Sequence, residues 1–236
     1  MNLFIDAWHY FTTAANWGGP AGIGHRIVQH LWYSFLAVAL SAVIAVPIGL
    51  LIGHTRRGGG AVVGFANAMR ALPTLGVLTF VVLGLGLGLL PPLLALLTVG
   101  VPPLLAGAYA GIANVDADVV DASRAMGMRE RQVLLRVEVP NALPVLLTGL
   151  RSSTLQVVAT ATVAAYVNLG GLGRYIFDGI SLYKYDRVLV GALLVAVLAL
   201  TLDAILAVVV WLSVPGTGRL RRRATVSALT AGIDAA

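Results

Sequence analysis

The sequence predicts an all-α integral membrane protein with about five transmembrane helices. Of its 236 residues, 58% are hydrophobic and only 11% are charged, and the mean hydropathy is +0.90. Soluble domains carry about 25% charged residues, so this composition argues against a soluble enzyme. Disordered chains are rich in charge and poor in apolar residues, which excludes that class as well. Uncharged apolar runs long enough to cross about 30 Å of hydrocarbon recur along the chain.

Several kinds of chemistry are disfavoured by composition. There is no cysteine, which excludes disulfides, thiolate metal sites and cysteine nucleophiles. All four histidines lie in the first quarter of the chain, so we expect no catalytic residue and no metal site. The glycine-rich stretches 84–88 and 170–173 lack a Walker lysine, so we expect no ATP site. The net charge of +6 falls in short clusters between apolar runs, a pattern typical of membrane loops, and we expect no nucleic-acid partner.

Residues 1–24 predict an N-terminal segment that lies at the membrane interface. The segment carries Trp8, Tyr10, Phe11 and Trp17, and amphipathic rings of this kind favour the interfacial region. It lacks a basic start, so we do not expect a signal peptide. Gly18, Gly19 and Pro20 are expected to interrupt any helix.

The first three spans follow from apolar runs and their prolines. The first is centred on residues 31–52, with Pro47 expected to kink it. The second either starts near residue 71 or covers about residues 61–88 as one broken helix. We expect the broken helix with a bend at Pro73, because the residue before a proline is pushed out of helical geometry. Residues 90–92 are expected to form a turn into the third span, at about residues 93–112.

Residues 114–144 are too polar to cross a membrane and predict a segment that lies beside it. Asn114 or Asp116 can cap a first short helix, and Gly127 is placed to stop it. A second short helix is expected to open near Arg129 and to end at Pro140. The pattern therefore predicts a helix–glycine–helix unit with a mixed charged surface.

Two further spans complete the predicted topology. They cover about residues 144–166 and 188–212, with an amphipathic external segment at 174–187 between them. We expect residues 25–215 to form one transmembrane domain, and residues 216–236 to form a basic, mobile tail.

The arginines and lysines predict the orientation. Five spans place the two termini on opposite sides, and basic residues favour the cytoplasmic side. Ten basic residues fall on one side and four on the other, which predicts the N-terminus outside and the C-terminus inside. The ten are Arg56, Arg57, Arg124, Arg129, Arg131, Arg136, Arg219, Arg221, Arg222 and Arg223, and the four are Arg26, Arg174, Lys184 and Arg187.

The polar segment contains a motif with a characteristic spacing. Residues 121–123 read Asp-Ala-Ser, Gly127 follows after three residues, and residues 137–140 read Val-Glu-Val-Pro after nine more. This resembles the E-A-A, x3, G, x9, I-x-L-P signature of permease subunits of binding-protein-dependent ABC importers. The departures are Asp for Glu, Ser for the second Ala, and Val for both Ile and Leu. The resemblance covers about residues 25–215 and implies a MetI-like ABC permease core.

The resemblance also implies a role for the polar segment and a set of partners. In this family the segment, residues 114–144 here and called the coupling segment below, contains a coupling helix that docks on an ATP-hydrolysing subunit. The chain would not be an enzyme and would hold no cofactor, since ATP and Mg are bound by the dimeric ATPase. A second permease chain, an extracytoplasmic substrate-binding protein and the lipid of the bacterial inner membrane are the other implied partners. The implied coupling residues are Asp121, Ala122, Ser123, Gly127, Met128, Arg129, Arg131 and Pro140.

Three further segments point to the cargo. Residues 70–75, 111–116 and 168–173 resemble the quaternary-amine branch of these importers, which takes up glycine betaine, choline and carnitine. A permease for methionine or for a betaine-like thiol compound remains an alternative. So do an ion-coupled secondary transporter that uses Asp203 as its ion site and a non-transporting scaffold.

Polar side chains within the spans provide candidates for a translocation path. Ser153, Gln156 and Thr160 follow helical spacing, and Asn168 extends roughly the same face; hydrogen bonding between helices is the equally weighted alternative. Pro73 and Thr74, at the expected bend, form a second candidate wall. Arg151 is expected to snorkel to the cytoplasmic edge. Asp203 is expected to hydrogen-bond a neighbouring helix, with a proton or cation site as the alternative.

Overall fold

The computed structural model describes residues 3–167 and 169–214, and within them it contains helices and no strands, as predicted. The short segments Ala14–Asn16 and Ala161–Val167 are 3-10 helices, and Leu134–Glu138 is a π-helical segment. Asn168 and the predicted tail at 216–236 lie outside the described residues. The α-helices are α1 (Leu3–Thr12), α2 (Ile23–Thr55), α3 (Gly59–Ala71), α4 (Thr74–Leu85), α5 (Leu90–Ala113), α6 (Ala117–Ala125), α7 (Glu130–Val133), α8 (Val139–Thr160), α9 (Gly173–Ser181) and α10 (Tyr185–Ser213).

Four helical stretches of the described chain are long and apolar enough to cross a membrane. They are α2, α5, the stretch Glu130–Val167 and α10. Helices α3 and α4 together make a fifth apolar unit, which is bent by 81°. The break falls at Leu72 and Pro73, where Leu72 adopts the extended conformation that a following proline favours. The predicted bend at Pro73 is therefore confirmed.

Helix α5 forms the centre of the bundle and packs between α2 and α8. At its crossing with α8, a Cβ atom on Gly107 would lie 2.8 Å from the Cα of Gly149, and one on Gly149 would lie 2.9 Å from the carbonyl oxygen of Pro103. The two backbones are thus in direct contact. Small residues allow this approach, which provides van der Waals packing where no hydrophobic driving force exists between helices in lipid.

Two proline positions differ from the sequence prediction. Residues 90–92 were expected to form a turn, but Pro91 and Pro92 lie in the first turn of α5. Proline is compatible with this position because the first N–H groups of a helix have no intrahelical acceptor.

Pro140 does not end a helix, as was expected, but lies in the first turn of α8. The π-helical turn Leu134–Glu138 directly precedes it, and this wider turn makes room for the proline ring, which would clash with the preceding carbonyl in a regular α-helix. Helix α7, the π segment and α8 are therefore continuous. The helical stretch that contains the predicted fourth span begins at Glu130, and the polar segment runs directly into it.

At the opposite end of the bundle, α1 packs on α10, and α9 packs between them and the start of α2. Ile23, Leu172 and Tyr175 form a buried cluster there. The Tyr175 hydroxyl donates a hydrogen bond of 3.0 Å to the carbonyl of Ala21, and burial raises the pKa of Tyr175 to about 12. This end is called the α9 end below, and the end that carries α6 is called the α6 end.

Candidate coupling surface and translocation face

Helix α6 has a defined beginning and a defined end. Asp116 caps it by accepting a hydrogen bond of 2.9 Å from the backbone N–H of Asp118. Gly127 follows the helix with φ = +84°, a left-handed conformation that favours glycine at helix ends. The sequence predictions of a cap near Asp116 and a stop at Gly127 are both confirmed.

One side of α6 packs on the bundle and another is exposed. Val120 and Ser123 are 3% and 4% exposed, and Val120 packs in a cluster with Ile112 and Val133. On the outer side Val119 is 45% exposed and Met126 is 76% exposed, with the exposed Ala122 between them. These three residues, called the outer face of α6, form an apolar strip at helical spacing.

The residues predicted to couple to an ATPase fall into three environments. Ser123 is buried and its hydroxyl donates to the carbonyl of Val119 at 2.7 Å, while Met128 is half-buried against the Ile112 cluster. Pro140 is exposed but belongs to α8, one helical segment further along. The others are exposed at the α6 end, namely Asp121, Ala122, Gly127, Arg129 and Arg131.

Ion pairs link α6 to α7 across the Gly127 turn. The Arg124 guanidinium donates to both carboxylate oxygens of Glu130, at 3.0 and 3.1 Å, and to Asp121 at 3.2 Å. The hydrogen bonds to Glu130 are the main cause that raises the pKa of Arg124. The turn is thus held by a forked contact as well as by its backbone geometry.

His54 lies at the centre of this end, a position that sequence reasoning missed. Its Nδ1 is 2.5 Å from Oε2 of Glu138, and its Nε2 is 3.2 Å from Oε2 of Glu130. The residues are separated by 84 and 76 positions in the chain, so no local spacing indicates the contact. The available signals were a histidine in the last turn of the first span and a glutamate inside the coupling motif.

A polar cavity of about 260 Å³ lies beside His54. Arg56 closes one side and donates a hydrogen bond of 3.2 Å to the carbonyl of Val115. The cavity therefore lies between the end of α2, α6 and the π segment. Its lining residues are His54, Arg56, Ala117, Val120, Asp121, Arg124 and Glu138.

The predicted path residues on α8 do not share one environment. Ser153 is fully buried, and its hydroxyl donates to the carbonyl of Gly100 at 2.8 Å, so it makes the interhelical bond that was the alternative interpretation. Gln156 is exposed and Thr160 is half-buried. At the α3–α4 break, Pro73 is exposed and Thr74 is half-buried.

Arg151 does not snorkel, contrary to expectation. It pairs with Asp203 of α10 through two hydrogen bonds of 2.5 and 2.7 Å. Each side chain neutralises the charge of the other. Within a span this costs less free energy than an unpaired arginine that must reach the membrane surface. The expected bond from Asp203 to a neighbouring helix is confirmed.

Comparison with known proteins decides the family. Residues 45–210 match the model of the "Binding-protein-dependent transport system inner membrane component" family. This chain belongs to that family. The inner membrane component is 38% identical over 184 residues to the glycine betaine/carnitine/choline transport system permease protein OpuCB of Bacillus subtilis, covering 78% of this chain and 85% of the relative. It is 37% identical over 184 residues to the carnitine transport permease protein OpuCB of Listeria monocytogenes, covering 76% and 84%.

Solved structures agree on the fold of this inner membrane component. It superposes on a chain of the inward-facing methionine ABC transporter MetNI with a TM-score of 0.72 at 20% identity, covering 82% of this chain and 96% of that one. At this identity the likeness shows the fold, and it confirms the predicted MetI-like core.

Family membership confirms several sequence predictions. The chain is a multi-pass component of the inner membrane, and its relatives are permease subunits rather than enzymes. In such systems a separate ATPase binds and hydrolyses ATP, and a binding protein and a second permease complete the assembly. Among the described residues of this chain, no cluster of three or more histidines and carboxylates could hold a metal ion.

Proposed function

We propose that this chain is the permease of an ATP-driven importer for a small quaternary ammonium osmoprotectant such as glycine betaine. We further propose that the outer face of α6 is the surface on which the ATPase docks. The observation that carries the docking proposal is the apolar strip of Val119, Ala122 and Met126, which is exposed on a capped helix at the end of the bundle. The names of the relatives quoted above support the cargo.

The connection between α6 and the bundle supports a mechanical role. Arg124 and Glu130 hold α6 against α7, and α7 continues through the π segment into α8 without a break. Helix α8 in turn meets α5 backbone to backbone at Gly149 and Gly107. A displacement of α6 by the ATPase is therefore carried into the centre of the bundle by packed helices rather than by a flexible loop.

The complete importer would contain two such permeases above a dimeric ATPase, with the binding protein on the other side of the membrane. Closing of the ATPase around ATP would bring the two α6 segments together and open the path outwards, and hydrolysis would reset it. The basic residues support an orientation with the α6 end in the cytoplasm. In the described part of the chain, six arginines lie there, namely Arg56, Arg57, Arg124, Arg129, Arg131 and Arg136.

The candidate path residues indicate where selectivity resides. A quaternary ammonium group has no N–H to donate and is best held by aromatic faces. Gln156, Thr160, Pro73 and Thr74 provide none, so we propose that they form a permissive path and that the binding protein selects the cargo. Asp203 is paired with Arg151, which disfavours its use as the ion site of a secondary transporter.

The docking proposal is tested by placing a charge on the outer face of α6. Met126→Glu should abolish co-purification with the ATPase and ATP-driven uptake, because the ATPase would have to bury an unpaired carboxylate. Tyr183→Glu is the matched control, because Tyr183 is 79% exposed and follows α9; it should leave ATPase binding unchanged. A second variant combines Gly127→Pro with charge reversal at Arg129 and Arg131. Unchanged uptake and ATPase binding in both coupling variants would contradict the proposal.

The cargo is tested with the complete importer in proteoliposomes. Glycine betaine, methionine and a betaine-like thiol compound are compared in uptake driven by ATP and the cognate binding protein. Uptake of methionine but not of glycine betaine would overturn the cargo proposal and leave the docking proposal intact. Micromolar binding of glycine betaine to the permease alone would show that selectivity does not reside mainly in the binding protein.

A further inference from the structure

We propose that His54 is a positioning residue for energy coupling, which fastens the end of α2 to the coupling segment as an imidazolium held between two glutamates, and that loss of its proton loosens this contact. The proposal rests on the function proposed above, since it assigns to the coupling segment a charged attachment to α2 in addition to its packing on α5 and its continuation into α8. It also makes energy coupling depend on the pH on the side of the membrane that carries α6.

The two ring nitrogens of His54 each contact a different glutamate. Nδ1 of His54 contacts Oε2 of Glu138 at 2.5 Å, and Nε2 contacts Oε2 of Glu130 at 3.2 Å. Ionised carboxylates only accept hydrogen bonds, and a neutral imidazole has a single N–H. The Nδ1 contact is a hydrogen bond and the Nε2 contact has the distance of an ion pair, so the two carboxylates together favour a ring that carries both protons.

The π segment explains how both glutamates reach one ring. In a regular α-helix, residues eight positions apart are offset by about 80° around the axis. Glu130 and Glu138 are separated by eight positions, and Leu134–Glu138 form the π-helical turn between them. Each residue of a wider turn advances by a smaller angle, which brings the second glutamate back towards the face of the first. The local departure from α-helical geometry therefore has a specific consequence at His54.

The surrounding charges also favour the imidazolium. Glu138 is 1% exposed, and an ionised carboxylate at a buried position is costly unless an opposite charge lies beside it. Arg124 is engaged by Glu130 and Asp121, and Arg56 donates to the Val115 carbonyl. In the described part of the chain, His54 is the cation that contacts Glu138. His54 also lies in the last turn of α2, where the helix dipole favours positive charge.

Deprotonation would change the contacts in a defined way. A neutral ring keeps one N–H for the buried Glu138 and directs a lone pair towards Glu130, so the contact between α2 and the start of α7 becomes repulsive. Glu130 is 60% exposed and can turn to solvent while still near Arg124. Loss of the proton would therefore weaken the contact that fastens α2 to α7.

The experiment uses the complete importer in proteoliposomes, with ATP hydrolysis and uptake measured together between mildly acidic and alkaline pH. His54→Gln should still bind the ATPase, but uptake per ATP should fall by at least about 5-fold, the lower end of typical coupling between sites. His25→Gln is the matched control, because His25 is an exposed histidine near the other end of α2, and it should behave as the wild type. Wild-type coupling should decline at alkaline pH.

Glu130→Gln keeps the proposal testable if His54→Gln fails to assemble. The introduced amide would donate to Nε2 of a neutral His54, so the contact would survive deprotonation and the alkaline decline should disappear. Glu130→Gln also removes the ion pair between Glu130 and Arg124. That loss is the same at every pH, so it would not by itself abolish the alkaline decline. An unchanged alkaline decline in Glu130→Gln, or normal coupling in His54→Gln, would overturn the proposal. Failure of the docking function would appear separately, as unchanged ATPase binding and uptake in both coupling variants described above.

Discussion

Arg151 and Asp203 join α8 to α10 through two parallel hydrogen bonds, Nε to Oδ1 at 2.5 Å and Nη2 to Oδ2 at 2.7 Å. Both residues lie within helices that are long and apolar enough to span a membrane. Helix α8 continues from the coupling segment, so the pair ties the last span to the element that would carry the motion.

Removing one charge of this pair should destabilise the protein. Asp203→Asn leaves the Arg151 guanidinium without an anion among apolar helices, so the midpoint of thermal unfolding in detergent should fall. Asp6→Asn, at an exposed position of α1, should leave the midpoint unchanged. Exchange of the charges, Arg151→Asp with Asp203→Arg, should recover part of the loss. Equal midpoints for Asp203→Asn and the wild type would show that the pair does not stabilise the bundle.

The backbone contact between α5 and α8 should not tolerate a side chain. Gly149→Val would place its Cβ within 3.0 Å of the carbonyl of Pro103, and such overpacking typically costs about 1–3 kcal/mol. We expect lower yield of folded protein and a lower unfolding midpoint. Gly64→Ala is the control, because nothing lies within 4 Å of its added Cβ in α3; it should stabilise by about 0.5–1 kcal/mol. A Gly149→Val protein as stable as the wild type would contradict the close crossing.

The turn after α6 should depend on backbone conformation rather than on space. Gly127 has φ = +84° and open surroundings, so Gly127→Ala should cost about 1–2 kcal/mol through left-handed strain alone. Gly127→Asn should cost less, because asparagine adopts this conformation more readily. Denaturant unfolding of both variants measures the difference. A larger loss for asparagine than for alanine would indicate a steric role instead.

Tyr175 should contribute a pH-dependent stability at the α9 end. Burial raises its pKa to about 12, so its contribution is complete below the unfolded value of about 10 and is lost as the pH rises from about 10 to 12. Tyr175→Phe removes the bond to the Ala21 carbonyl and should cost about 1 kcal/mol. Unfolding midpoints between about pH 9 and 12 should then fall less steeply in the variant. An unaltered slope would contradict the prediction, and Tyr183→Phe provides an exposed control.

The amino-acid sequence alone was enough to predict the class of protein, the approximate membrane spans and the position of the coupling segment in the chain. Apolar runs and proline positions depend on local chain properties, so the break at Pro73, the cap at Asp116 and the stop at Gly127 were all predicted correctly. The coupling motif has fixed spacing within 20 residues, and such a signal survives without three-dimensional information.

The contacts of the polar residues, in contrast, depend on how the helices cross. Arg151 and Asp203 are 52 positions apart, and His54 and Glu138 are 84 apart, so no local pattern pairs them. The same reason explains why Ser153 and Gln156 do not share one face, contrary to the prediction. Ser153 is buried and bonds the Gly100 carbonyl, whereas Gln156 is exposed. The helix at Pro140 continued because the π turn preceding it accommodates the ring, a geometry that depends on packing around residues 134–138 and has no signature in the order of residue types.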